Sequence, residues 1–467
     1  MGGPAGSSGV ERLWAEGHAV HAAGTRDDGS GGLGTGPVNT DLVNLPGAPF
    51  LARQNGELRL EGHLLAALAE RFGTPLFVYS RNAMLTAFQG YERALQGRRH
   101  LVCYAMKANS SLAVLQTFAQ AGAGFDIVSG GELARVLAAG GEASRVVFSG
   151  VGKTRAEMRQ ALQAGVRCFN VESLSELDTL NAEALGLGCR APVSLRVNPD
   201  VDAGTHPYIS TGLKNNKFGI AHARALGAYR YAASLSGLHV VGIDCHIGSQ
   251  ITQLAPFLDA LDRLLDLVEA VEAIGIPIHH VDVGGGLGIT YADETPPDAG
   301  ALVRTLLQRL DERGHGQREV LFEPGRSLVG NAGVLLTEIL VLKPGLDDDG
   351  GKNFCIVDAA MNDLVRPAMY EAYMAIEPCV QRNAASERWD VVGPVCESGD
   401  WLGRDRALAV APGDMLAVLS AGAYGMAMAS NYNSRPRAAE VMVDGPRVHL
   451  IREREEPRAL FAGERLL

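Results

Sequence analysis

The sequence predicts an α/β barrel, an eightfold βα barrel of the TIM type, followed by a C-terminal, mainly β domain. Short runs of β-branched or aromatic residues alternate with amphipathic helical stretches eight times between about residues 80 and 327. These runs are continuously apolar, as strands covered on both faces must be. Beyond residue 327 the helical pattern thins out and β-like runs take over.

Residues 1–47 are rich in Gly, Ala, Ser and Thr, with too little apolar periodicity to bury a core, and read as a disordered low-complexity tail. Residues 48–79, including TPLFVYS, precede the first barrel strand and offer an extra strand to the β domain, assigned to 48–79 plus 328–467. The barrel, 80–327, takes its strands from LVCYAMK, FDIVS, VVFSG, CFNVE, VSLRVN, VVGIDCH, HHVDVG and VLFEPG. Stretches such as GELARVLAAG and FLDALDRLLDLVEAVEA supply the helices between them. The later runs GVLLTEILVLK, FCIVDAA, DVVGP, MLAVLSAG, AAEVMVDG and RVHLI build the β domain.

Composition excludes several function classes. Apolar residues make up 46% of the 467, yet no apolar run approaches the roughly 18 to 20 residues needed to cross a bilayer, so no membrane role is expected. The net charge of −11 with no sustained basic patch argues against nucleic acid. Seven scattered cysteines without Cys-x-x-Cys or zinc spacing suit reduced thiols and no metal. The N-terminus lacks the features of a secretory signal, so the cytoplasm is the expected location.

Chemistry in such barrels sits at the C-terminal ends of the strands, where a polar residue closing an apolar run is a site candidate. Lys107 closes LVCYAMK, and desolvation at the barrel mouth is expected to lower its pKa and make it a nucleophile toward carbonyls. His246 and Ser249 follow strand six, GGGLG (284–288) follows strand seven, and Glu323 with Arg326 follows strand eight. A glycine-rich turn exposes backbone N–H groups to a phosphate, which Arg326 and Ser249 can complete. Glu323, buried beside a heteroaromatic nitrogen, would keep it protonated and make the ring an electron sink, while His246 can lie flat on such a ring.

Three other features carry less. GVGKT (150–154) lacks the glycine that a nucleotide-binding phosphate loop needs at Val147, and GGGLG lacks the last glycine of the dinucleotide fingerprint. His279 and His280 are adjacent on a strand and so point to opposite faces, which rules out a pair on one metal.

YAMKAN, GAGFDIVSGGEL, NPDVDAGTHPYISTGLKNNKFGI, CHIGSQ, DVGGGLGITY, EPGRSLVGNAG, GPVCESGDWLG and SAGAYGMAMASNYNSRPRAAEV occur in this order along residues 48–460. In them the chain closely resembles the bacterial diaminopimelate decarboxylases, within the wider family of alanine-racemase-like barrels with a β domain. The resemblance implies pyridoxal 5'-phosphate as cofactor and meso-diaminopimelate as substrate, decarboxylated to lysine in the last step of lysine biosynthesis. It implies that Lys107 bonds to the cofactor aldehyde, His246 stacks on the ring, Glu323 pairs with the ring nitrogen, and Asp126 orients His246 or Lys107. Ser249, Gly286 and the Pro324, Gly325 and Arg326 of the Glu-Pro-Gly-Arg element would hold the phosphate with Tyr424. Arg326, Arg366, Tyr370, Glu397 and Tyr424 would bind substrate. It further implies a homodimer in which Cys396 and Glu397 reach the partner's active site.

In that setting Cys396 is the best donor of a proton to the substrate carbon, since a thiol can give its proton and be restored by solvent. Arg366 and Arg326 offer cationic forks for a carboxylate at the far end of the substrate and Glu397 an anion for its ammonium. Decarboxylases of ornithine, arginine or a polyamine precursor would gain nothing from Arg366. A silent cofactor-binding relative would be expected to lose Lys107 or Cys396, and a racemase would need a second acid/base and no CESGDWLG.

Overall fold

The computed structural model describes residues 45–202, 216–345 and 351–467. Most of the 1–47 stretch and the AGTHPYISTGLKN segment (203–215) lie outside the described residues. The eight apolar runs form strands β1 (His100–Ala105), β2 (Gly124–Ile127), β3 (Val146–Phe148), β4 (Cys168–Val171), β5 (Ala191–Asn198), β6 (Leu238–Asp244), β7 (His280–Asp282) and β8 (Glu319–Phe322). Each pairs in parallel with the next, and β8 pairs with β1 to close the barrel.

The helices outside the barrel follow from sequence pattern and caps. Ala255–Ala273 buries Phe257, Leu261, Leu264 and Val268, three or four residues apart, which is the spacing of one helix face. Arg155–Ala164 opens on a capping box between Thr154 and Glu157 and ends at Gly165 in the left-handed region (φ 74°). Lys153 of the GVGKT stretch is tied down locally, its ammonium donating to the carbonyls of Gly150 and Asn170 and to Glu176.

Strand register decides what the barrel encloses. Ser194 stands opposite Asn170 and Gly242, and Gly242 opposite His280. One pleat further on, Arg196, Asp244 and Asp282 are aligned. A Cβ at Gly242 would lie 2.1 Å from His280 Nε2, so this position takes glycine because the imidazole fills it. His280 is buried while its neighbour His279 is exposed, as alternation requires.

A second sheet is built from both sides of the barrel sequence. Leu76–Ser80 lies between Gly333–Lys343, antiparallel, and Ala439–Asp444, parallel. Phe354–Val357, Glu387–Val392 and Trp401–Leu408 extend one side, Arg447–Arg452 the other, and Met415–Val418 also pairs with Gly333–Lys343. Alternation along Leu76–Ser80 splits the core. Phe77 and Tyr79 pack with the barrel-side cluster, whereas Leu76 and Val78 pack with Leu58, Leu65, Leu336 and Val441. Among the described residues no helix is long and apolar enough to cross a membrane.

Candidate active site

The C-terminal ends of the barrel strands surround a cavity of about 450 Å³, lined among others by Lys107, Asp126, Arg196, His246, Glu323, Arg326, Arg366 and Tyr424. Strand β1 ends at Ala105, and Lys107 sits in the following 3-10 turn, Met106–Ala108. Its side chain is 40% exposed, and its ammonium donates to Asp126 Oδ2 at 3.0 Å. The expected depression of its pKa is corrected by the structure. Burial does pull the value down, but the nearby charge of Asp126, with Tyr424 and Glu323, outweighs it and holds Lys107 above the ordinary lysine value. Of the two partners left open for Asp126, Lys107 is the one it bonds.

The glycine run after β7 is shaped for close approach of backbone. Cβ atoms would lie 2.1 Å from the Glu323 carbonyl oxygen at Gly285 and 2.4 Å from that of Gly248 at Gly286, where φ is 112°. At Gly325 a Cβ would sit 3.0 Å from the Ala105 carbonyl oxygen, and the Pro324 carbonyl accepts the Ala105 N–H at 3.0 Å. Arg326 is buried, donates to Ser249 Oγ at 3.0 Å and to the Tyr291 hydroxyl, and lies over the Tyr424 ring at 4.9 Å. Its Nε has no hydrogen-bond partner among the described residues. Tyr424 is held in the left-handed region (φ 57°), with its N–H donating to the Ala108 carbonyl at 2.7 Å.

Glu323 is buried at the end of β8, accepts from Asn170 Nδ2 at 3.3 Å, and is pushed well above the usual carboxylate range by burial and by Asp126, Asp282 and Asp244. His246 Nδ1 accepts the Gly285 N–H at 3.2 Å, and burial, Arg196 and Lys107 keep the ring neutral. Sequence reasoning missed Arg196 and Asn170. Arg196 pairs with Glu172 at 3.3 Å and lies over the Phe218 ring at 4.9 Å. An arginine inside the apolar run VSLRVN was the signal that could have found it.

Arg366 is only 6% exposed, and it lies over the rings of Tyr370 (5.1 Å) and Tyr424 (5.4 Å). Burial and the neighbouring Arg326 lower its pKa. It forms no ion pair among the described residues, so a buried cation faces the cavity without a carboxylate. Cys396 and Glu397 are not brought to this cavity within the chain. Both are exposed, the Cys396 N–H donating to Asn433 Oδ1 at 3.1 Å and the Glu397 carboxylate accepting from the Tyr432 hydroxyl.

Residues 81–330 match the family described as pyridoxal-dependent decarboxylase, pyridoxal binding domain. The diaminopimelate decarboxylase of Pseudomonas aeruginosa is 59% identical over 89% of this chain and 98% of its own length. That of Vibrio cholerae is 56% identical over 90% and 99%. The chain belongs to the diaminopimelate decarboxylase family. The solved structure of the Helicobacter pylori diaminopimelate decarboxylase complexed with L-lysine is 40% identical, with a TM-score of 0.80 over 85% of this chain and 98% of that one. The structure from M. jannaschii, also in complex with L-lysine, reaches a TM-score of 0.85 at 39% identity, covering 90% and 99%. The site fits the cofactor of this family: an amine in the cavity, a backbone cradle at Gly285 and Gly286 that any Cβ would fill, and the buried cation Arg326 beside it.

Proposed function

We propose that this protein decarboxylates meso-diaminopimelate to L-lysine and carbon dioxide with pyridoxal 5'-phosphate, the last step of lysine biosynthesis. The observation that carries the choice of substrate is Arg366, a buried guanidinium in the Lys107 cavity with aromatic faces around it and no ion-pair partner among the described residues. A substrate with a carboxylate at its far end supplies that partner. The bound cofactor supplies the sink for the electron pair left when carbon dioxide departs.

Lys107 would bond to the cofactor aldehyde, with Asp126 orienting its amine. Ser249, Gly286, Gly325 and Arg326 would hold the phosphate, with Pro324 fixing the turn between them and β8 and Tyr424 adding its hydroxyl. His246, fixed by the Gly285 N–H, would lie against the ring, and Glu323 would face the ring nitrogen. Arg326, Arg366, Tyr370 and Tyr424 bind substrate. Cys396 gives the proton to the substrate carbon and Glu397 accepts its distal ammonium. Because both lie away from the Lys107 cavity of their own chain, the protein acts as a homodimer whose sites are completed by the partner. The proposed division is a tail at 1–47, a cofactor-binding barrel at 80–327 and a β domain of 48–79 plus 328–467, in a cytoplasmic enzyme.

The test is to incubate purified holoenzyme with meso-diaminopimelate, ornithine and arginine, measuring carbon dioxide and product amine. Lysine and carbon dioxide should form from meso-diaminopimelate alone. Faster release from ornithine or arginine would overturn the assignment.

A further inference from the structure

Below the cavity three carboxyl groups meet: Asp244 ends β6, Asp282 ends β7 and Glu323 follows β8. One oxygen of each lies within 4.8 Å of the others, and all three residues are buried. Charges of one sign so close in a dry interior cannot all ionise, so protons are retained and shared. Asp282 is anchored by one oxygen, Oδ1, which accepts the Gly284 N–H at 2.9 Å. Its Oδ2 meets no N–H or O–H donor among the described residues, and its side chain is in hydrogen-bonding reach of Glu323. Glu323 is steadied by Asn170, whose Nδ2 also donates to Ser149 Oγ at 3.1 Å.

A second observation comes from the pleat beneath. Among the described residues, Ser194 Oγ and His280 Nε2 are buried without a hydrogen-bond partner. They sit two residues before Arg196 and Asp282 on the same strands and therefore face the same barrel interior. This interior holds polar groups without a full set of partners beneath the site, a costly arrangement that packing alone does not require.

Resting on the function proposed above, we propose that Asp282 is a positioning residue for decarboxylation, holding a proton that it donates in a hydrogen bond to Glu323. With the cofactor in place, the O–H bond of Glu323 would break and an N–H bond would form at the ring nitrogen, while the O–H bond of Asp282 stays whole. Glu323 is then the anion that the protonated ring nitrogen needs, and the neutral Asp282 donates to it. Asp282 faces Asp126 on β2, Asp244 on β6, Glu323 after β8, Arg167 before β4, and the thiols of Cys103 on β1 and Cys168 on β4. The Arg196–Glu172 pair lies beyond Asp244, Lys107 acts on Glu323, and His280 on the same strand is neutral, its pKa pulled down to about 3 by burial and then Arg167 and His279.

Burial, with Asp126 adding to it against the Gly284 N–H, raises Asp282 to about 7. Asp282 therefore keeps its proton below neutrality and loses it as the pH rises through that value. Once it is ionised, Glu323 has an anion beside it instead of a donor and competes with the ring nitrogen for the proton.

The test titrates the visible spectrum of the holoenzyme, alongside kcat and KM for meso-diaminopimelate, in wild type, Asp282→Asn and Asp244→Asn. The asparagine at 282 donates to Glu323 permanently and cannot ionise. In Asp282→Asn the alkaline spectral transition should vanish or move by at least about one pH unit, with kcat down about tenfold and KM within about threefold. Asp244→Asn, which leaves the Asp282 proton in place, should shift the transition while retaining it. A transition in Asp282→Asn coincident with that of wild type, or no transition in wild type, overturns the proposal. A fall in melting temperature with an unmoved profile overturns it too, because that is what a purely structural acid would give. Should wild type release no carbon dioxide from meso-diaminopimelate, the proposed substrate fails, while the spectral titration still decides the role of Asp282.

Discussion

Lys107 and Arg366 are two cations on one cavity wall with opposite surroundings, and each makes a separate prediction. Lys107 is paired with Asp126 at 3.0 Å, an anchor that aims its amine while raising its proton affinity. Lys107→Ala should abolish the visible absorption of the covalently held cofactor, and borohydride trapping followed by mass spectrometry should find no modified residue; a trapped lysine elsewhere would refute the assignment. Arg366 has aromatic faces but no anion among the described residues, and in the proposed function its partner arrives with the substrate. Truncating one member of a desolvated ion pair costs about 2 to 5 kcal/mol, well above the worth of an exposed pair. Arg366→Leu should lower kcat/KM for meso-diaminopimelate roughly thirtyfold or more. Activity toward diamines lacking the distal carboxylate should hardly change, and equal losses on both substrate types would show that Arg366 supports the fold or the cofactor site. At this scale the sequence exposed residues that interrupt a strand end, such as Lys107, Glu323 and Arg326. It hid Asn170, whose role comes from reaching Glu323 across the barrel, a distance of 153 positions in the chain.

The glycine turn after β7 is the element on which the proposed cofactor site depends most, because it packs backbone against backbone. Gly286→Ala puts a methyl group 2.4 Å from the Gly248 carbonyl oxygen at φ 112°, a strain of about 1 to 3 kcal/mol or more. Cofactor affinity should fall at least about tenfold with a lower melting temperature, and unchanged affinity would remove this turn from the cradle. A contrasting glycine lies in the helix His222–Ser234. Gly227 is exposed, and a Cβ there meets nothing within 4 Å. Gly227→Ala should therefore stabilise the protein by about 0.5 to 1 kcal/mol, seen as a higher melting temperature without a change in kcat. The same contrast between buried and half-exposed elements explains which strands could be read in advance. Barrel strands such as VVF (Val146–Phe148) are buried at every position and leave an unbroken apolar run. Trp401–Leu408 carries Arg404, Asp405 and Arg406 in a strand with an exposed face, and nothing in WLGRDRAL separates it from a loop before its partner Glu387–Val392 is known. The same holds for the short meander Leu51–Gln54, Glu57–Leu60 and His63–Leu64, whose pattern is too brief to carry a period.

At the scale of the whole molecule, the residues proposed for one reaction stand in two places. Lys107, Glu323, Arg326 and Arg366 line one cavity, while Cys396 and Glu397 lie on an exposed segment of the β domain, fixed by Asn433 and Tyr432. A homodimer with two-fold symmetry resolves this, since a segment that crosses from one protomer to the other does so twice and completes both sites. The arrangement predicts complementation between two inactive proteins. Lys107→Ala removes the amine from its own cavity but still offers Cys396 to its partner, and Cys396→Ala does the reverse. In the mixed dimer one site has both groups and the other has neither. Random reassociation of equal amounts makes half of the dimers mixed, so activity should return to about a quarter of the wild-type value. Each variant alone should remain nearly inactive under the same dissociation and reassociation. If Cys396 instead served the cavity of its own chain, no pairing of these two proteins could bring the thiol and the lysine together, and the mixture would stay as inactive as its parts.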